Sequence, residues 1–415
     1  MARIAPLVAV AWILVYGGPT CAADSWFTDV ERYTSLRETR LDVAGPEPAS
    51  FTALGVAPFV TAQALASSDV AISAAQVFDD YGNPRAALGV DFAPTLLTER
   101  EVTLGDYQHS HTQRTVSRLQ LSLAISKGES TQDRSTRIAP TLRIVFHEQR
   151  DSRVHRGPGS LQDCFERYVT PPETLRAEQV ALAEDFKATE AQLQDSALDD
   201  AERAAAELRR DDLQVRWRAA MARYRAALQE IVHQGMQSCR DDPAIAAYTW
   251  NATGFALGFS PSFRNDPDDL GALTPHGMVM YATQSFGFDR LGRQPTYAPS
   301  FLGAHTQILT QVLYRLNEPL LNPLKPSAFA DADELVGSVR LRVGTSPWNG
   351  NVELAVIHDW FEHQRNDTLT KLSVGMDVHL AKGTWLSFSA GRTFWRDALP
   401  DHTSAGLSIK WAMLD

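Results

Sequence analysis

Much of the chain alternates apolar and polar residues with a period of two, the mark of a strand with one greasy and one polar face. From Leu369 to Gly391, Leu372, Val374, Met376, Val378 and Leu380 share one face. Ser373, Gly375, Asp377 and His379 share the other. After the Lys382-Gly383 turn the rhythm resumes with Leu386, Phe388 and Ala390 against Ser387, Ser389 and Gly391. Nine more segments behave alike: Ala87 to Leu97, Ser117 to Ser126, Thr136 to His147, Thr253 to Ser260, Gly277 to Asp289, His305 to Leu316, Glu334 to Gly344, Asn351 to Phe361 and Ala405 to Leu414. With the quoted pair these make eleven predicted strands. Many reach the ~9–11 residues that cross a bilayer at a tilt.

One stretch breaks the rhythm. Pro171 to Gln237 is almost wholly Ala, Glu, Gln, Arg, Asp and Leu, with no glycine before Gly235, which predicts helix. Leu175, Leu182, Phe186 and Leu193 form one stripe; Leu213, Trp217, Met221, Tyr224, Leu228 and Ile231 form a second. Between them, Gln194 to Glu202 carries the Asp and Ser residues that interrupt and cap helices. The pattern predicts two antiparallel helices packed as a hairpin, against the alternative of one long bent helix.

Alternation alone fits two architectures. In a secreted soluble sandwich the apolar face points into a protein core. In a membrane barrel it points out to lipid, and the polar face lines the lumen. Arg3, the apolar run Ile4 to Tyr16 and the small residues Cys21 to Ala23 predict a cleaved export signal over 1–23, rather than an uncleaved anchor helix. No later run is long enough for a membrane helix, so a membrane form must be a closed barrel. The inward positions are small or charged, and aromatics such as Trp348, Trp360, Trp385, Phe394 and Trp411 cluster near strand ends. The expectation is therefore all-β: an antiparallel transmembrane β-barrel of about 12 strands with an inserted α-helical hairpin. Even parity calls for a twelfth strand, placed at Ser50 to Val60. The net charge of −11 and the lack of a basic run exclude a nucleic-acid partner. The exported chain keeps Cys164 and Cys239, which bracket the helices. A disulfide between them would staple the hairpin's base, worth roughly 4 kcal/mol by loop-closure entropy; two unpaired thiols are the alternative.

"PASFTALGVAP" (Pro48 to Pro58), "ALGVDFAPTLL" (Ala87 to Leu97), the late Gly-rich strands and the closing "LSIKWAML" resemble a group of uncharacterised Gram-negative outer-membrane β-barrel proteins. The resemblance covers most of the chain after the signal except the helices. It implies a fold and an outer-membrane location, and it brings no activity or catalytic residues. Such barrels commonly finish on an aromatic residue, whereas Met413-Leu414-Asp415 follow Trp411 here.

No nucleophile elbow, phosphate loop or His-Glu-x-x-His pattern is present. The histidines at 109, 111, 358 and 363 lack a carboxylate or cysteine at metal-ligand spacing and read as surface or lumen residues. Ser373 and His379 share a face yet stand roughly 20 Å apart along a strand. No catalytic residue, metal or cofactor is expected. The candidate functional residues are lumen charges: Arg118, Arg137, Arg143, Arg315, Arg340, Arg342 and Lys410 against Asp91, Glu353, Asp359 and Asp377. They fit a selectivity field for a polar solute, or an ion-pair network that stiffens a narrow barrel. The expected organisation is a signal (1–23), an N-terminal segment (24–86), barrel strands (87–148), the helical insertion (149–246) and barrel strands (247–415). Three roles follow: a porin-like channel for small solutes, an envelope anchor binding a periplasmic or envelope protein through the hairpin, or a secreted β protein. The expected partners are outer-membrane lipid and, for the anchor, that protein.

Overall fold

The computed structural model describes residues 26–39, 48–57, 59, 61, 70–78, 84–94, 102–128, 135–148, 151–155, 157, 159–195, 199–240, 242, 244–245, 249–250, 252–265, 273–287, 306–322, 325–345, 347–361, 366–381, 383–395 and 402–412. The expected signal lies outside them. Twelve strands form one closed antiparallel barrel. They are β1 (Ala71–Phe78), β2 (Pro84–Phe92), β3 (Leu119–Lys127), β4 (Thr136–Glu148), β5 (Gly254–Asn265) and β6 (Thr274–Gly287). Then come β7 (Thr306–Asn322), β8 (Lys325–Gly344), β9 (Trp348–Phe361), β10 (Asp367–Ala381), β11 (Thr384–Trp395) and β12 (His402–Ala412). Each strand pairs with its neighbours in sequence. β1 closes the ring on β12, from Ala71 opposite Ala412 to Phe78 opposite Ala405.

All eleven alternating segments are strands, but the twelfth is not where the sequence placed it. Ser50 to Leu54 belong to a short helix, α2 (Ala49–Leu54), which ends at Gly55 in the left-handed region (φ 65°). The twelfth strand is β1, whose pattern is faint because alanines occupy both faces. Ile72 and Ala74 point out, while Ser73 and Ala75 point in. Its position is fixed by pairing with β2 and β12, not by its own hydrophobicity.

The period-two pattern decides which face is which. Inward residues such as Ser122, Thr141, Ser260, Thr283, Arg340, Glu353 and Ser373 are buried. The outward row is bare: Leu88 is 54%, Val312 57%, Leu354 49% and Val374 51% exposed. Among the described residues no second sheet covers these side chains, and the twelve strands form one closed barrel rather than a sandwich. A soluble monomer rarely leaves so continuous an apolar surface open. A closed ring with all its edges paired is the one β arrangement that satisfies its backbone in lipid. This is the architecture of an outer-membrane barrel.

One rim of the barrel holds the start of β1, the end of β12 and the tight turns between β8 and β9 and between β10 and β11. We call it the C-terminal rim. Counting strands puts the insertion between β4 and β5 at this same rim. The helices there are α1 (Trp26–Tyr33), α3 (Leu104–His109), α4 (His111–Ser117), α5 (Leu161–Tyr168), α6 (Glu173–Leu193) and α7 (Asp200–Arg240). Thr103 and Asp106 make a capping box that starts α3, and Ser160 caps α5. The hairpin forms as expected: Leu182 and Phe186 of α6 pack on Leu213, Trp217 and Ala220 of α7. Farther along, Leu228, Val232 and Met236 of α7 pack on Phe27, Val30, Leu104, Leu161 and Phe165. Cys164 and Cys239 form a disulfide with Cα atoms 5.8 Å apart. The 41 residues of α7 extend roughly 60 Å, so its N-terminal half and α6 stand out as an arm.

A charge in the middle of the outward row should be costly. Leu354→Arg is expected to lower stability by about 2–4 kcal/mol, the range for a cation at the bilayer midplane. Urea unfolding in lipid vesicles measures it; unchanged stability would mean that Leu354 does not meet hydrocarbon.

Candidate functional site

The lumen is occupied by the protein's own N-terminal segment. Helix α2 lies against the inner wall, where Phe51 and Leu54 are buried among Ala75, Ala87, Ala124, Ala139, Val279, Tyr281, Leu313, Val336 and Ala355. Small wall residues make the space. A Cβ on Gly89 would stand 2.7 Å from the ring of Phe51, closer than packing permits. The Ser50 and Ser122 hydroxyls are hydrogen-bonded, tying the start of α2 to β3. At its end, Arg85 donates to the Leu54 carbonyl at 2.7 Å and Arg315 to the Thr52 carbonyl at 3.2 Å. The chain then reverses at Gly55 and returns across the lumen. There the Thr61 backbone N–H and hydroxyl both donate to Glu353, each at 2.8 Å. Phe59, also buried, lies under the Arg340 guanidinium, 3.8 Å from ring centroid to carbon. These contacts bind residues 49–57, 59 and 61 to opposite walls, so the segment is a plug.

The lumen charges meet one another around it. Arg340 donates to Asp377 at 3.2 Å and to Asn351 at 2.9 Å. Arg342 donates to Gln307 at 2.8 Å and to Asn349 at 3.3 Å, and stands 3.8 Å from Asp377. Arg315 pairs with Glu334, and Lys371 lies in the field of Glu353, Arg315 and Glu334. On the other wall Asp91 feels Lys410 and Arg143, and Arg143 donates to Gln120 at 3.3 Å. Arg137 and Asp359 are buried and inward, each toward the far rim. Below this layer Trp250 is buried 5.4 Å from the Arg342 guanidinium. Ser285 and Gln307 both donate to the Ala252 carbonyl, at 2.8 and 2.9 Å.

Arg118 has a different setting from the other predicted charges. It caps the end of α4, one residue before β3, at the C-terminal rim. There it bonds Asp151 at 3.0 Å and the Tyr107 hydroxyl at 3.0 Å. Arg153 also bonds Asp151, at 2.9 Å, and the Tyr107 hydroxyl donates to the same carboxylate. Burial works against the Asp151 charge, but the Arg153 and Arg118 guanidiniums and the hydrogen bonds outweigh it. They hold the carboxyl well below the usual carboxylate range. This buried knot fastens α3 and α4 to the loop that leads into the insertion. Among the described residues no three His, Cys, Asp or Glu side chains gather as metal ligands.

Sequence reasoning found the inward charges but missed the plug. A signal was present in the small residues Ala87, Gly89, Ala124, Ala139 and Ala355, all on inward faces. A wet channel has no need of them; a helix packed against them does. Tyr224, in the second predicted stripe, packs inward as a stripe residue should. It is buried, with its hydroxyl donating to Asp29 at 2.7 Å.

No family model matches the chain, and no curated protein matches it. Solved structures similar to it include the KdgM porin, at 7% identity over 83% of this chain and 100% of that one, with a TM-score of 0.34. The CymD monoaromatic hydrocarbon channel aligns at 8% identity over 90% and 95%, TM-score 0.33. The COG4313 outer membrane channel from Pseudomonas putida F1 aligns at 8% identity over 83% and 96%, TM-score 0.35.

The depressed Asp151 carboxyl has a definite pH signature. Its stabilisation is fully present above the ordinary carboxylate value near ~4 and is lost as pH falls through the lower folded value. Hydrogen exchange of residues 104–117 should therefore accelerate in acid below about pH 4. Asp151→Asn should weaken the same segment already at pH 7, by about 3–5 kcal/mol, because the buried Arg118 and the partly exposed Arg153 lose their counter-charge. Protection at pH 7 equal to wild type would contradict this role.

Proposed function

We propose that the protein is an outer-membrane anchor, exported through a cleaved signal over 1–23. In this reading a closed barrel holds the disulfide-clasped arm in the periplasm for a protein partner. The observation that supports the reading is the plug: residues 49–57, 59 and 61, with Trp250 and Ala252, lie inside the barrel where a solute would pass. The side assignment is part of the proposal. It takes the rim of the short Gly344–Trp348 and Ala381–Thr384 turns, which the arm shares, as the periplasmic one, although the longer connections from Phe92 to Leu119 and from Gly287 to Thr306 lie on that rim too. The lumen charges then serve as an internal network that holds wall and plug together. A lone cation among them would be costly, whereas paired and hydrogen-bonded ones are tolerated.

A second reading, a gated channel for small polar solutes, is favoured by how the plug is held. Its polar ties at Thr52, Leu54 and Thr61 are hydrogen bonds that water can replace, and no covalent bond within the plug fixes it. Withdrawal of the plug would expose the Arg340, Arg342 and Asp377 wall.

Folded protein, verified by heat-modifiable gel mobility, is expected to leave planar bilayers electrically silent. Steady unitary conductance would overturn the closed anchor in favour of the channel. Photocrosslinkers placed at Leu208 and Val215, 75% and 66% exposed on α7, are expected to capture one discrete envelope protein in cells. Capture of nothing at either position would count against the arm as a docking element.

A further inference from the structure

Helix α7 carries a second apolar stripe that the hairpin leaves bare. Leu208, Val215 and Ala222 recur every seven residues, and Ala205, Ala219 and Ala226 fill the alternate positions. Asp212 is the one polar member of this seam, and all seven residues are exposed. Leu213 and Ala220, which pack on α6, each stand two residues before a seam position, about 200° round the helix. The heptad pattern is thus written twice on α7. One copy meets α6; the other meets nothing among the described residues. Arginines line both flanks of the bare copy: Arg209, Arg216 and Arg223 along one side, Arg218 and Arg225 along the other. Arg216 stands 3.6 Å from Asp212, Arg223 bonds Glu178 at 2.7 Å, and Arg225 lies over the Tyr33 ring. Arg209 and Arg218 are exposed and, among the described residues, have no carboxylate partner. Residues 209–225 hold six arginines against two aspartates, net +4 in a chain of net −11.

Spacing and charge narrow the occupant. A seam that keeps a seven-residue repeat on one face for about 32 Å is matched by another helix, whose side chains repeat in step with it. Its alanines let that helix approach to about 8 Å, the close end of helix packing. A helix that lies on a bilayer offers the lipid Trp, Phe or Leu; this seam is mostly alanine and includes a carboxylate. Two copies rooted in one membrane would pair these helices in parallel, setting Asp212 against Asp212 and Arg218 against Arg223. The arginine flanks call instead for carboxylates across the seam. We propose that the bare seam of α7 docks one helix of a different protein, with small apolar residues in heptad repeat and Glu or Asp on its flanks. The inference rests on the reading of the arm as a docking element and adds the chemistry of the partner.

The test titrates the full chain, folded in neutral detergent micelles, with two labelled four-heptad synthetic helices that share an Ala/Leu core. One carries Glu at every flanking position and the other Lys, and fluorescence anisotropy reads binding. The Glu helix is expected to bind about tenfold or more tighter than the Lys helix. Val215→Asp, at an exposed seam position, should weaken the Glu helix about tenfold or more. Val180→Asp, exposed on α6 away from the seam, should leave it unchanged. Arg209→Glu combined with Arg218→Glu should remove the preference for Glu over Lys. Equal binding of the two helices by wild type, or Val215→Asp binding as wild type does, would overturn the seam. In cells, the segment captured from photocrosslinkers at Leu208 and Val215, mapped by mass spectrometry, is expected to be an acidic heptad segment of another protein. Capture through a segment of another protein without that pattern would overturn this inference and leave the arm's docking role standing. Crosslinks into a second copy or into lipid would overturn it as well. Capture of nothing would instead overturn the docking reading beneath it.

Discussion

Everything in this molecule follows from closing a sheet on itself with its apolar face outward. An open sheet leaves two rows of unpaired backbone groups, each costing several kcal/mol in hydrocarbon. Pairing β1 with β12 removes both rows at once. After closure the period-two alternation has only one reading. Leu88, Leu354 and Val374 face out, and Ser122, Glu353 and Ser373 face in. The hydrophobic effect that buries a soluble core plays little part at the outer wall, because those side chains remain outside.

A twelve-stranded ring encloses more volume than the wall side chains fill, and the chain fills it with itself. The inner wall divides accordingly. Where α2 lies, the wall presents Ala87, Gly89, Ala124 and Ala139, and an apolar core forms inside the barrel. Elsewhere the wall presents Arg340, Arg342, Glu353, Asp377, Asn349, Asn351 and Gln307, which bond one another and Thr61, with the rings of Phe59 and Trp250 against the guanidiniums. The barrel thus has an ordinary packed interior on one side and a hydrogen-bonded one on the other. At the C-terminal rim the helices build a third core around Phe165 and the disulfide. That core fixes the root of α7 and lets the rest of the arm project.

The sequence carried the wall far more clearly than its contents. Each of the eleven strongly alternating segments is a strand because lipid on one side and a polar lumen on the other write the period directly into the residues. The Ala71–Phe78 strand escaped notice because alanine serves either face and its place is set by partners distant in sequence. Ser50 to Val56 misled in the opposite direction. Phe51, Ala53, Leu54 and Val56 look like a strand edge, yet they are buried on several sides, as a helix inside a ring must be. The arm was legible from its stripes and its bracketing cysteines, since helical period and loop closure are local properties. Arg118 was grouped with the lumen charges because it begins an alternating run; only the partner Asp151, 33 residues away, reveals that it fastens the rim.

The central claim is that the outward row meets hydrocarbon while the inward row meets protein. Nitroxide labels on cysteines introduced singly at 352, 353, 354, 355 and 356 of β9, in protein reconstituted into vesicles, read this directly through collisions with oxygen and with a polar nickel chelate. Oxygen contact should be high and nickel contact low at 352, 354 and 356, and both should be low at 353 and 355. High nickel contact at 352, 354 and 356 would show water where lipid is required, and the account would be wrong.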